Sequence, residues 1–137
     1  MWFETIPAHN NNSYKTTAYI NQESVCRCVI NRKNETWTIS SWYTENNHQH
    51  NGYGKLTLKE CLNRMANDYK LPESVKYIWN GVNEYVLDWL KENFDAVCDC
   101  PMVVQKYASD DDWSSHIYTL NRDKFLSYFE FEEELIK

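Results

Sequence analysis

Residues 36–55 read TWTISSWYTENNHQHNGYGK, and a change of pattern within this stretch decides the fold. Its first part, Thr36–Tyr43, is rich in β-branched and aromatic side chains, which favours a β-strand. Two of the chain's three glycines, Gly52 and Gly54, follow. From Lys55 to Tyr69 apolar residues then recur at helical spacing. The stretch therefore predicts a strand, a glycine-containing turn and the start of a helix.

The glycine pair lies where the first backbone N–H groups of the predicted helix have no intrahelical partners. These groups and the helix dipole together favour an anion, and a glycine lets a phosphate come close to them. The turn is not a Walker loop, because no G-K-[ST] follows, and it lacks the third glycine of a dinucleotide fingerprint. The pattern indicates a pyrophosphate site, with a plain turn as the alternative.

Outward from this junction, the pattern predicts a mixed α and β domain. Before it, polar clusters separate short segments rich in β-branched residues, which is typical of an antiparallel meander. The other predicted elements are strands at Thr16–Ile20, Val25–Ile30, Ser74–Trp79, Ala96–Val104 and His116–Leu120, and helices at Asn83–Phe94 and Phe125–Ile136. The predicted fold class is α+β, with a mostly antiparallel central sheet flanked by helices, and residues 1–137 are expected to form one domain.

Charge and composition restrict the classes of partner and compartment. The net charge of −6 and the absence of a Lys/Arg cluster disfavour a nucleic-acid partner and fit a cationic acceptor better. The sequence contains no apolar run long enough to span a membrane and no secretory leader pattern at its start. The number of cysteines, five, is odd and fits a reducing cytoplasm, so we expect a cytoplasmic protein without a membrane association.

Two Cys-x-Cys pairs, Cys26–Cys28 and Cys98–Cys100, raise the alternative of a zinc site. Zinc ligands usually come from turns at wider spacing, whereas both pairs fall in predicted strands, so buried cysteines acting as small hydrophobic residues are favoured. His48 and His50 form a further candidate metal pair, but no spacing supplies a third ligand. No metal site is therefore predicted.

The hexapeptide Gln49-His50-Asn51-Gly52-Tyr53-Gly54 resembles the acetyl-CoA signature of the GNAT acetyltransferase superfamily. That signature is Gln or Arg, two variable residues, Gly, one variable residue, and Gly or Ala, between a strand and a helix. The order of the elements predicted after it is also similar to the family. The chain is thus identified as a short member, because the polar run from His9 to Ser13 leaves little room for the family's two N-terminal helices.

The resemblance implies acetyl-CoA as co-substrate and assigns residues to its binding. Backbone amides of the signature would bind the pyrophosphate, and the end of the preceding strand would pair with the pantetheine arm. An asparagine at the start of the later helix would also contact the cofactor. The implied cofactor-binding residues are Trp42, Tyr43, Thr44, Gln49, His50, Asn51, Gly52, Tyr53, Gly54, Lys55 and Asn83.

The implied activity is direct transfer of an acetyl group to an amine, which belongs to a small molecule or to a protein lysine or N-terminus. The sequence departs from the family in the catalytic part, because Thr38 and Trp89 stand where relatives often have a glutamate and a tyrosine. Glu45 as base and Tyr85 as acid are the catalytic candidates, with packing and solvation as their structural alternatives. A catalytically impaired CoA-binding or protein-interaction module on the same fold is the alternative function, and a homodimer is compatible with the sequence.

Overall fold

The computed structural model describes residues 1–49, 51–79, 81, 84–99 and 117–131. These divide into two compact units, residues 1–71 and 72–137, which are described separately below. The prediction of one domain over residues 1–137 stays a prediction. No helix in the described part of the chain is both long and apolar enough to cross a membrane.

The first unit is an antiparallel meander with one helix. Its elements are β1 (Trp2–Ala8), β2 (Ser13–Ile20), β3 (Glu23–Lys33), β4 (Thr36–Thr44) and α1 (Tyr53–Asp68). The three predicted strands of this half and its helix are confirmed. Strand β1 was not predicted, and it pairs with β2 from Trp2–Tyr19 to Ala8–Ser13. Pro7 fits there because β1 is an edge strand, and the backbone groups on its free edge need no partner in the sheet.

A β-bulge in β4 determines which side chains face α1. Val29 of β3 pairs with Ser41, but the next residue, Ile30, pairs with Ile39, so Ser40 is the extra residue. The Ser40 hydroxyl donates to the Val29 carbonyl at 3.3 Å. Because the bulge shifts the alternation by one, Ile39 before it and Trp42 after it lie on the same face of the sheet.

The core of the first unit lies between α1 and this face. Helix α1 buries residues at helical spacing, including Leu58, Leu62 and Met65. Cys26 and Cys28 of β3 are also buried, which confirms their predicted role as small hydrophobic residues. Burial raises the pKa of the Cys28 thiol well above its usual value, so this cysteine stays protonated.

In the part that the structure describes, the second unit packs two helices against three strands. Its elements are β5 (Ser74–Ile78), α2 (Glu84–Phe94), β6 (Val97–Cys98), β7 (Ile117–Leu120) and α3 (Arg122–Tyr128). Strand β7 lies between β5 and β6 and is antiparallel to both. Phe94, Phe125 and Phe129 are buried and pack ring against ring, with centroids 5.1–6.3 Å apart.

The last predicted helix, Phe125–Ile136, had the wrong boundaries. Helix α3 begins at Arg122, because the Asn121 side chain caps it by accepting from the Lys124 amide at 3.0 Å. It ends at Tyr128, and Glu130 adopts a φ of 65°, which no helix can continue through. Of the predicted strand Ala96–Val104, β6 covers Val97–Cys98. Residues 100–116 and 132–137 lie outside the described residues.

A buried tyrosine connects β2 to the end of α1. The Tyr14 side chain is fully buried, and its hydroxyl donates to Asp68 at 2.8 Å. Burial and this bond raise the pKa of the Tyr14 phenol. The bond from Tyr14, together with the Arg64 guanidinium 3.1 Å away, holds the pKa of the Asp68 carboxyl below its usual value.

Replacing Tyr14 with Phe should therefore change stability in a pH-dependent way. A carboxyl with a lowered folded pKa stabilises the fold above its unfolded pKa of about 4, and the stabilisation disappears as pH falls through the folded value. We expect the gap in melting temperature between wild type and Tyr14→Phe to be large at pH 7 and much smaller at pH 2.5. Tyr19→Phe is the control, because the Tyr19 hydroxyl lies exposed, 3.4 Å from Glu4. An equal gap at both pH values would contradict this role of Asp68.

Candidate functional site

The N-terminus of α1 is open to an anion. Gly52 occupies the N-cap with a φ of 80°, and among the residues that the structure describes no side chain caps the helix. The first turn contains no acidic residue, while Lys55 is exposed there. The amides at the start of an α-helix have no partner within the helix, so this end presents uncapped N–H groups and the positive end of the dipole.

The two glycines of the signature lie in different surroundings. Gly52 has the positive φ of the left-handed region, and a Cβ added there would meet nothing within 4 Å, so the space above it is open. A Cβ on Gly54 would lie 3.4 Å from the Trp42 indole nitrogen and 3.5 Å from the Thr44 hydroxyl. Gly52 therefore keeps the approach to the helix start clear, whereas a small side chain at position 54 would make ordinary van der Waals contact with β4.

Polar side chains of the signature hold the turn in shape. The Gln49 amide donates to the Thr44 carbonyl at 3.1 Å and to the Asn46 side chain at 3.2 Å. The Asn51 amide donates to the His48 carbonyl at 3.4 Å. The structure thus gives Gln49 and Asn51 a role in building the loop. His50 lies outside the described residues.

The end of β4 is fixed directly to the first turn of α1. The Trp42 indole N–H donates to the Gly54 carbonyl at 2.9 Å, and the Thr44 hydroxyl donates to the Cys26 sulfur at 3.3 Å. Both side chains lie on the face that α1 covers. Tyr43 points to the opposite face, where the Arg27 guanidinium lies 5.7 Å from its ring centroid. The bulge at Ser40 puts Trp42 in this position.

The predicted catalytic residues lie in separate units. Glu45 is half-buried at the end of β4, and its amide donates to the Val25 carbonyl at 2.9 Å. Tyr85 lies in the first turn of α2 with its side chain 68% exposed. Trp89 packs edge-on against Phe94, with centroids 5.3 Å apart. Asn83, the predicted cofactor contact at this helix, lies outside the described residues.

Two contributions to the site were not predicted from the sequence. These are the bulge at Ser40 and the hydrogen bond from Trp42 to Gly54. The signal for the bulge is a break in alternation, because Trp37 and Ile39 are at odd positions and Trp42 is at an even one. Residues 1–49, 51–79, 81, 84–99 and 117–131 contain no group of three or more His, Cys, Asp or Glu placed to hold a metal ion.

The bond between Trp42 and Gly54 should contribute measurably to stability. Trp42→Phe keeps an aromatic ring but removes the indole donor. We therefore expect the free energy of unfolding, measured in urea, to fall by about 1 kcal/mol. In the wild type, the Trp42 indole N–H should exchange with solvent more slowly than that of Trp2, whose side chain is half exposed. Equal exchange rates and an unchanged free energy of unfolding would show that this bond is not formed in solution.

Comparison with solved structures finds the same architecture in many acetyltransferases. One is the PaiA N-acetyltransferase of Thermoplasma acidophilum in complex with coenzyme A, at 14% identity and a TM-score of 0.59, covering 81% of this chain and 62% of that one. Another is a GNAT-family acetyltransferase of Staphylococcus aureus, at 14% identity and a TM-score of 0.61, covering 81% of this chain and 69% of that one.

A third is the GNAT-family acetyltransferase of Elizabethkingia anophelis with acetyl-CoA bound, at 15% identity and a TM-score of 0.54, covering 81% of this chain and 75% of that one. No protein-family model and no curated protein matches the chain. This chain spans less than two thirds of the length of the Thermoplasma enzyme. The resemblance found in the signature is confirmed at the level of the fold: the chain has the α+β fold of the GNAT acetyltransferases, in a short form.

Proposed function

We propose that this protein is an N-acetyltransferase that moves an acetyl group from acetyl-CoA directly to an amine. The observation that carries the proposal is the uncapped start of α1, with Gly52 at its N-cap and no acidic residue in its first turn. The presence of coenzyme A and acetyl-CoA in two solved structures of the same fold supports it.

The pyrophosphate of the cofactor would bind at the start of α1. Successive amides from Tyr53 to Lys55 would donate to its oxygens, and the helix dipole would favour its negative charge. The open space above Gly52 accommodates a phosphate group at close range. Lys55, exposed in the same turn, adds a positive charge without occupying that space.

The pantetheine arm would extend along β4 from this end. Backbone groups of Trp42, Tyr43 and Thr44 would pair with its amides as a neighbouring strand does. The side chains of Trp42 and Thr44 are already engaged with Gly54 and Cys26, so the backbone between them is held in place before the cofactor binds. Binding therefore requires little ordering of this strand.

Transfer would occur by attack of the amine nitrogen on the thioester carbonyl. The new C–N bond forms as the C–S bond breaks, the amine proton passes to a base, and the departing thiolate of coenzyme A takes up a proton. Holding both reactants in one groove supplies much of the acceleration. We assign the base to Glu45 and the acid to Tyr85, whose side chain is largely exposed.

The acceptor class follows from charge and from the N-terminal half. The net charge of −6 favours a cationic amine. Strands β1 and β2 are joined by a turn at His9–Asn12, and so no helix lies between them. The two helices that GNAT proteins usually have between their first strands therefore do not cover the acceptor side here. An open acceptor side suits an amine on a protein as well as a small amine. We place the activity in the cytoplasm.

Cofactor binding can be tested by calorimetric titration with acetyl-CoA. We expect micromolar affinity, about 8 kcal/mol, for the wild type, and at least a tenfold loss in Gly52→Glu, because a carboxylate would occupy the phosphate position. Asn34→Glu is the matched control, since Asn34 also has a positive φ, 56°, but lies in the turn at the opposite end of β4. No binding to the wild type, or an equal loss in both variants, would refute the site.

The catalytic assignment is tested by acetyl-CoA turnover with polyamines and lysine-containing peptides. Glu45→Gln and Tyr85→Phe should each lower kcat about 100-fold with an unchanged affinity for acetyl-CoA. The matched controls are Glu35→Gln and Tyr128→Phe, both at exposed positions outside the proposed site. Unchanged turnover in Tyr85→Phe would leave that residue without a catalytic role. Binding without turnover in the wild type would establish the catalytically impaired alternative.

A further inference from the structure

The face of the β1–β4 meander that points away from α1, here called the outer face, contains large apolar side chains. The strand register gives their neighbours. Trp2 of β1 is opposite Tyr19 of β2, and Ile6 of β1 is opposite Lys15 of β2, which in turn is opposite Val29 of β3. Tyr43 of β4 is opposite Arg27 of β3. An antiparallel sheet covered on one side normally turns a polar face to solvent. The outer face departs from that pattern.

These side chains are exposed. The accessible fractions are 50% for Trp2, 48% for Ile6 and 42% for Tyr43. They are also ordered against their neighbours, since the rings of Trp2 and Tyr19 stack with centroids 4.2 Å apart at 16°. Large exposed apolar side chains that share one face of a sheet with polar residues between and around them favour a surface that binds another molecule.

The outer face is basic although the chain as a whole is acidic. Its exposed cations are Lys15, Arg27 and Lys33, against one carboxylate, Glu4. The chain has a net charge of −6, so positive charge is concentrated on this face relative to the remaining surface. A partner for this face must therefore combine negative charge with apolar groups.

We propose that the outer face is a docking surface for an acidic, extended segment of another protein. Lys15 is opposite Val29, which places Arg27 diagonally across from Lys15, at about 7–8 Å between the two positions. In an extended peptide, side chains two residues apart point the same way and are separated by about 7 Å. Carboxylates at alternate positions of the segment thus match Lys15 and Arg27, while its apolar residues reach Trp2 and Ile6.

Other occupants fit this surface less well. A symmetric contact with a second copy would bring two faces of the same positive charge together, which is repulsive. A nucleic acid that stacks its bases needs free ring faces, but Trp2 and Tyr19 cover one face of each other's rings. The proposal does not rest on acetyl-CoA binding, since none of its side chains belongs to the start of α1.

The test is a selection from a displayed library of random 12-residue peptides on the immobilised full chain, with Arg27→Glu protein as counter-selection. We expect the enriched pool to be acidic, with Asp or Glu at alternate positions beside apolar residues. Synthetic peptides from the pool, measured by fluorescence anisotropy, should bind Arg27→Glu and Trp2→Ala at least tenfold more weakly. Glu4→Lys, which adds a cation to the outer face, should bind them more tightly.

Lys70→Glu is the matched control, because it makes the same change in net charge at an exposed residue beyond α1, and it should alter binding less than twofold. Thermal melts verify that each variant is folded. An unenriched or basic pool, or equal losses in Lys70→Glu and Arg27→Glu, would overturn the proposal. Dimerisation of the wild type through Trp2, or its binding to anionic lipid vesicles in place of the peptides, would overturn it as well.

Discussion

The bulge at Ser40 is the constraint on which the arrangement of the first unit depends. A regular β4 would place Trp42 and Thr44 on the opposite face from Trp37 and Ile39, because side chains alternate along a strand. With one residue inserted opposite Val29, all four side chains share the face that α1 covers. Trp42 then reaches the Gly54 carbonyl, and the end of the strand is joined to the start of the helix. The geometry of the candidate site follows from this one displacement.

Much of the fold could be predicted because its local signals agree with its tertiary packing. Strands β2, β3, β4 and β5 and helix α1 all have the hydrophobic period of the structure they form, and each contributes buried apolar side chains to a core. Strand β1 was missed because Pro7 and the following polar run argue against a strand, while an edge position tolerates both. Helix α3 was misplaced because its boundaries depend on the Asn121 cap, and the aromatic and acidic residues after Phe125 have no clear period.

The candidate site divides into a part that sequence can indicate and a part that it cannot. The proposed anion-binding part would use backbone amides, so it requires only a helix start and residues without bulky side chains, here Gly52 and Gly54. Side-chain identity hardly affects a site of this kind. Proton transfer depends on side chains placed by tertiary structure, and Glu45 and Tyr85 could be chosen only by residue type and position along the chain. A fold shared with acetyltransferases does not fix these roles.

The two faces of the meander show how one sheet separates two tasks. The face toward α1 contains the buried thiols, the aliphatic core and the side chains that hold the turn before α1. The outer face combines aromatic residues with Lys15 and Arg27, and Tyr43 belongs to it through its side chain while its backbone is part of the strand proposed to bind the cofactor. A macromolecule bound on the outer face would therefore contact β4 from the side opposite α1. Because an amide and its side chain in a strand point in different directions, β4 can serve both purposes without either set of contacts competing with the other.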